Sequence, residues 1–218
     1  MIRISMAPPV RRLGFGAAFA LAAAAATASA QGLSAADQAD VARVEAYVNR
    51  ITTFKADFVQ IAPNGGTARG TMWIMRPGRL RVEYRPPVKL RIFATPQYLI
   101  VEDCKVKDPQ YLPLRSTPAG ILVQERISLS GEMQVTQVKR ENQWLSLRLI
   151  EAKSPEKGSM TLVFRNEPLQ LIGWTVVDSN GGPTQVSLEN IQAGLTLKAD
   201  DFGFISRCDD GNVARPGR

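Results

Sequence analysis

The chain has 218 residues, 27 of them basic and 20 acidic for a net charge of +7, with 44% hydrophobic side chains, two cysteines and no histidine. Without histidine, Ser-His-Asp and Cys-His catalysis and the commonest metal ligand are gone; two distant cysteines fall short of a structural zinc site, so no catalytic residue, metal or cofactor is expected. Lys and Arg alternate with Asp and Glu instead of gathering in one stripe between stacking aromatics, which argues against a nucleic-acid partner.

Residues 1–30 have the form of an export signal. Arg3, Arg11 and Arg12 make a positive start, Leu13 to Ala26 is apolar, and Ala28-Ser29-Ala30 is a small-residue cleavage site. Cleavage after Ala30 leaves 188 residues with 24 basic and 20 acidic side chains. That length suits one domain, taken as 31–205, with a tail over 206–218. No cysteine near the cleavage site offers lipid attachment, and no later apolar run approaches the roughly 18 residues of a membrane-spanning helix.

Ser34 with Asp37 three residues on predicts a capped helix, and Val41, Val44, Val48 and Ile51 make one apolar stripe along it with Tyr47 alongside. The pattern fits a core-covering helix and a lid over a greasy site equally. From Thr52 the period is two. Phe54, Ala56 and Phe58 share a face, Pro63-Asn-Gly-Gly66 turns the chain, and Gly70 to Tyr84 forms a hairpin about Pro77-Gly78, where Pro presets φ and Gly takes the positive φ of a type II turn. A loop of Pro77-Gly78 alone sets Met75 opposite Leu80, Trp73 opposite Val82 and Thr71 opposite Tyr84, one broad apolar face, with Arg76 on the other.

Leu90, Ile92 and Ala94 mark the next strand and Gln97 to Glu102 another. Asp108 to Ser116 reads as a poorly periodic loop. Thr117-Pro118 then has the order of a helix cap and first helical residue, opening a short apolar helix that contains Ile121 and Leu122 and either plugs a barrel or roofs a cavity. Strands resume over Met133–Lys139, Gln143–Glu151, Ser159–Arg165, Leu169–Val177 and Thr184–Ile191. Roughly ten or eleven antiparallel strands form a meander too wide to stay flat, so it curls.

Cys104 and Cys208 are the only cysteines. In an exported chain an isolated pair commonly forms a disulfide, and closing a loop of about a hundred residues contributes up to ~4.7 kcal/mol in the chain-entropy account; two free thiols are the alternative.

The run Trp73-Ile-Met-Arg-Pro-Gly-Arg-Leu-Arg-Val-Glu-Tyr84, preceded by Phe54-Lys-Ala-Asp-Phe-Val-Gln60, resembles the periplasmic outer-membrane lipoprotein carrier proteins, the LolA family. The resemblance implies a mainly β fold, an unclosed antiparallel β-barrel (half-barrel) with an α-helical lid. It also implies a periplasmic monomer that carries acylated lipoproteins from an inner-membrane lipoprotein-releasing ABC transporter to an outer-membrane lipoprotein receptor. By the same resemblance Arg76 is the latch holding lid backbone in the empty form, against the face that strict pairing assigns it. Phe54, Phe58, Trp73, Met75, Leu80, Val82, Tyr84, Ile92, Ile121 and Leu122 are the candidate cavity and mouth. Thr117-Pro118 sits where that family's lid segment begins. Leu80 and Val82 are smaller than the family's residues there, and its Asp-Gly turn is Asp103-Cys104 in this chain.

Acyl chains suit such a site, since each exposed methylene costs ~0.8 kcal/mol in water. The other readings are the outer-membrane receptor itself, an envelope-stress sensor of the same fold, a carrier for another lipid, and an enzyme working through a carboxylate pair at Glu102 and Asp103.

Overall fold

The computed structural model describes residues 32–106 and 108–208; the expected export signal, residues 1–30, and residues 209–218 of the expected tail lie outside them. Helix α1 (Ala35–Arg50) is capped as its sequence predicts: the Ser34 hydroxyl accepts from the Asp37 amide at 3.1 Å, and the Asp37 carboxylate accepts from the Ser34 amide at 3.2 Å. Eleven antiparallel strands follow: β1 (Thr53–Ile61), β2 (Thr67–Met75), β3 (Arg79–Tyr84), β4 (Leu90–Ala94), β5 (Tyr98–Asp103), β6 (Gln110–Pro113), β7 (Met133–Glu141), β8 (Trp144–Glu151), β9 (Gly158–Arg165), β10 (Gln170–Asp178) and β11 (Pro183–Ala193). The short helix α2 (Pro118–Leu122) lies between β6 and β7, its cap Thr117 accepting from the Gly120 amide.

The strand order is β6-β5-β4-β3-β2-β1-β11-β10-β9-β8-β7. Pairing of β1 with β11 joins two meanders into one sheet whose edges, β6 and β7, never meet. The barrel is therefore unclosed, and the segment that spans its gap is the one carrying α2. Helices α1 and α2 both lie on the concave face. One core cluster gathers Phe54, Phe58, Leu80 and Val82 from the β1–β5 half. Another gathers Val44 of α1 with Leu145, Leu147, Leu149 and Phe164 of the β7–β10 half. The stripe on α1 faces this second cluster, with the Tyr47 ring edge-on to Phe164 at 6.0 Å.

Two sequence expectations are corrected. Gln110–Pro113 is a strand, not a loop: it lacks alternation because it is an exposed edge held by its backbone to β5. The central hairpin is also displaced by one residue. Its loop has three residues, Arg76-Pro77-Gly78, with a cis Arg76–Pro77 bond and Gly78 at φ +75°, so Met75 pairs with Arg79, Ile74 with Leu80, Trp73 with Arg81 and Met72 with Val82. A one-residue slip exchanges the faces. Met72 and Ile74 are buried inside, whereas Trp73 and Met75 are half-exposed outside, where the Trp73 ring lies between the Lys55 ammonium at 5.9 Å and the Arg81 guanidinium at 5.2 Å. Gly70, not Thr71, faces Tyr84. A Cβ there would stand 2.5 Å from the Phe58 ring, so glycine is what lets Phe58 pack edge-on to Tyr84 at 5.1 Å.

Residues 201–208 run as a strap across the outer face of β3–β5. Phe202 is buried, and Phe204 packs edge-on to Phe93 at 5.4 Å. Arg81 and Arg91 donate to the carbonyls of Asp201 and Ile205. Glu102, only 2% exposed, accepts from the Ser206 hydroxyl at 2.6 Å and the Arg207 amide at 2.9 Å, and pairs with Arg91. Cys104 and Cys208 are joined beside it, Cα atoms 5.0 Å apart. Burial alone would raise the Glu102 pKa; the bonds from Ser206, Arg207 and Arg91 outweigh it and hold the carboxyl below the usual range.

Candidate functional site: a latched roof over an apolar cavity

The hairpin loop after β2 reaches both roof helices at once. Arg76 Nε donates to the Ile51 carbonyl at 2.9 Å, and its Nη2 donates to the carbonyls of Val48 and Ile51 at the end of α1. Two residues on, the Gly78 amide donates to the Val123 carbonyl that caps α2, at 2.7 Å. Those carbonyls carry the negative end of each helix, so a guanidinium and an amide suit them. Arg76 thus faces inward, as the corrected parity of Met75 and Ile74 requires. Burial lowers its pKa. Its Nη1 is buried without a hydrogen-bond partner.

A second set of polar contacts ties α1 to the chain after α2. The Asn49 side chain donates to the Ile127 carbonyl and accepts from the Ile127 amide, each at 2.9 Å, and Glu45 accepts from the Leu129 amide at 2.9 Å. Between these ties lies an apolar cavity of about 30 Å³. Val48 of α1, Ile121 and Leu122 of α2, and Ile127 and Leu129 form its roof; Leu149 of β8, Met160 and Leu162 of β9 and Leu171 of β10 form its floor. Such a space takes water-sized spheres and not an acyl chain.

Of the residues singled out in the sequence, Ile121 and Leu122 line this cavity, and Arg76 bonds the carbonyl of its lining residue Val48. Phe54, Phe58, Leu80 and Val82 form the neighbouring core, with Tyr84 and Ile92 packed against them. Tyr84 donates to Gln60 Oε1 at 2.6 Å, and burial raises its phenol pKa. Trp73 and Met75 stand outside. The suggested carboxylate pair is not in the barrel: Glu102 belongs to the tail contact on the outer face, and Asp103, next in the strand, points to the opposite side. Among the described residues no three metal-ligating side chains cluster. Sequence reasoning missed Glu45, Asn49 and the β8–β10 floor. Only the polar Asn49 next to the stripe residue Val48 hinted at a partner.

The fold is an open antiparallel barrel whose apolar face is roofed by two helices, both hydrogen-bonded to one hairpin loop. The chain belongs to the LolA family: the family model described as "Outer membrane lipoprotein carrier protein LolA" matches residues 49–205. Two relatives named outer-membrane lipoprotein carrier protein are similar to it along most of their length. That from Chromobacterium violaceum is 30% identical over 193 residues, covering 82% of this chain and 90% of the relative. That from Chromohalobacter salexigens is 27% identical over 173 residues, covering 74% and 80%. Among solved structures, a LolA superfamily protein from Nitrosomonas europaea superposes with a TM-score of 0.45 at 12% identity, covering 75% of this chain and 97% of that one.

Proposed function

We propose that this chain is an exported periplasmic carrier that shelters the acyl chains of lipoproteins under the α1/α2 roof. It takes them from an inner-membrane lipoprotein-releasing transporter and yields them to an outer-membrane receptor, without cofactor or covalent chemistry. Membership in a family described as lipoprotein carriers supports the cargo class. The observation that carries the mechanism is the pairing of a wholly apolar but nearly filled cavity with a roof held by few polar bonds. Exposing a diacylated or triacylated chain costs tens of kcal/mol at ~0.8 kcal/mol per methylene, so transit needs cover. Release needs the covered and empty states to lie within a few kcal/mol, which a hydrogen-bonded latch provides.

The test is release of a triacylated lipoprotein from inner-membrane vesicles containing an active transporter. The carrier reading predicts a soluble one-to-one complex with the wild-type chain, and a complex that Arg76→Leu holds and does not pass on. Absence of any soluble complex contradicts it.

A further inference from the structure

Among the described residues Arg76 is a cation without an anion: it belongs to none of the ion pairs, and its Nη1 is buried with no partner. Its partners are backbone carbonyls of α1, the negative end of a helix macrodipole worth roughly half a charge. A partly buried guanidinium with one nitrogen shut off from water is best matched by a full counter-charge that meets its planar fork with two oxygens. One of the two carbonyls that hold it belongs to Val48, whose side chain also lines the apolar cavity. Head and tail positions for an amphiphile are therefore adjacent.

We propose that the site takes amphiphiles whose head is an oxyanion, a carboxylate or a phosphate, which seats on Arg76 and releases α1 while the acyl chain enters the cavity. This rests on the roof and cavity of the carrier reading and adds a ligand class to it. An ester or amide carbonyl brings only partial charge, so a neutral lipid displaces Val48 and Ile51 from the guanidinium less readily. The anionic head thereby acts as the key to the latch, and acyl length fills the space behind it.

The experiment titrates the wild-type chain, Arg76→Leu and Arg76→Lys with oleate, oleoyl-lysophosphatidylglycerol and monoolein, each as monomer, and counts bound lipid by native mass spectrometry. The expected result is that at least one anionic lipid binds the wild type tenfold or more tighter than monoolein, about the least that a hydrogen bond to a charged group contributes. Preference for oleate alone identifies a carboxylate site; preference for the phospholipid alone identifies a phosphate site. Arg76→Leu abolishes the preference and Arg76→Lys keeps part of it. Because loss of the latch eases entry of every lipid alike, the ratio of affinities is the readout, and the wild-type ratio stands even if a variant misfolds. Equal binding of all three lipids by the wild type, or a preference that survives in Arg76→Leu, overturns the proposal. A triacylated lipopeptide titrated in parallel separates the two readings: its failure to bind while oleate binds contradicts the carrier reading and leaves the anion site standing.

Discussion

The guanidinium of Arg76 does two jobs that a lysine would do less well, spanning the carbonyls of Val48 and Ile51 and keeping its charge when partly buried. Arg76→Leu is expected to cost the latch about 2 kcal/mol, so amides in the last turn of α1 and in α2 exchange with solvent roughly thirtyfold faster while β1, β2 and β11 keep their protection. Equal acceleration throughout would mean that Arg76 holds the whole fold and not the roof. Glu102 plays the corresponding part outside. Its pKa is depressed in the folded chain, so its contribution is complete above the ordinary value of 4.5 and is lost as pH falls through the folded value. Thermal unfolding followed below pH 4.5 should show the wild type losing stability that Glu102→Gln never had. At neutral pH the variant should be less stable, by about 1–3 kcal/mol, because the largely covered Arg91 loses its anionic partner and keeps only the Ile205 carbonyl.

At the scale of elements, the roof and the terminal strap both lie over the sheet, one on each face. The strap should loosen when the Cys104–Cys208 link is reduced: in the chain-entropy account a loop of this length contributes up to ~4.7 kcal/mol, so a substantial fall in unfolding temperature and binding of a dye to the uncovered Phe93 and Phe204 are expected. An unchanged transition after reduction would show that Glu102 and the aromatic contacts suffice. Most elements were legible in the sequence, because period-two alternation, the Ser34 capping box and the Thr117-Pro118 start depend on local chemistry. The register of β2 on β3 was not. It turns on whether the loop has two residues or three, and Arg76 is compatible with either; that single residue sent Trp73 and Met75 to the wrong face while leaving Leu80 and Val82 inside. Strand β6 was hidden because a fully exposed edge needs no apolar alternation. The cavity floor was hidden because Leu149, Met160 and Leu162 read only as core, and sequence does not tell a filled core from one with a removable cover.

Over the whole molecule, the proposed carrier depends on the opening between β6 and β7 to empty and fill one face of the sheet. A closed barrel would fix the distance between its walls, whereas here the strand edges β6 and β7 are joined through the segment with α2, tied to α1 through Asn49 and to the hairpin loop through Gly78. Lifting that segment exposes one continuous apolar wall from β8 to β10 without breaking a strand pair. Asn49→Ala is expected to raise the uptake of a triacylated lipopeptide at low concentration by lowering the cost of opening, and to leave the unfolding of the sheet almost unchanged. The measurement that tests the account most directly is hydrogen exchange of the wild-type chain with and without a bound triacylated lipopeptide. The account predicts faster exchange at the end of α1 and at Gly78, Val123 and Ile127 on binding, with slower exchange along β8, β9 and β10. Binding that leaves the roof as protected as in the empty chain would contradict it.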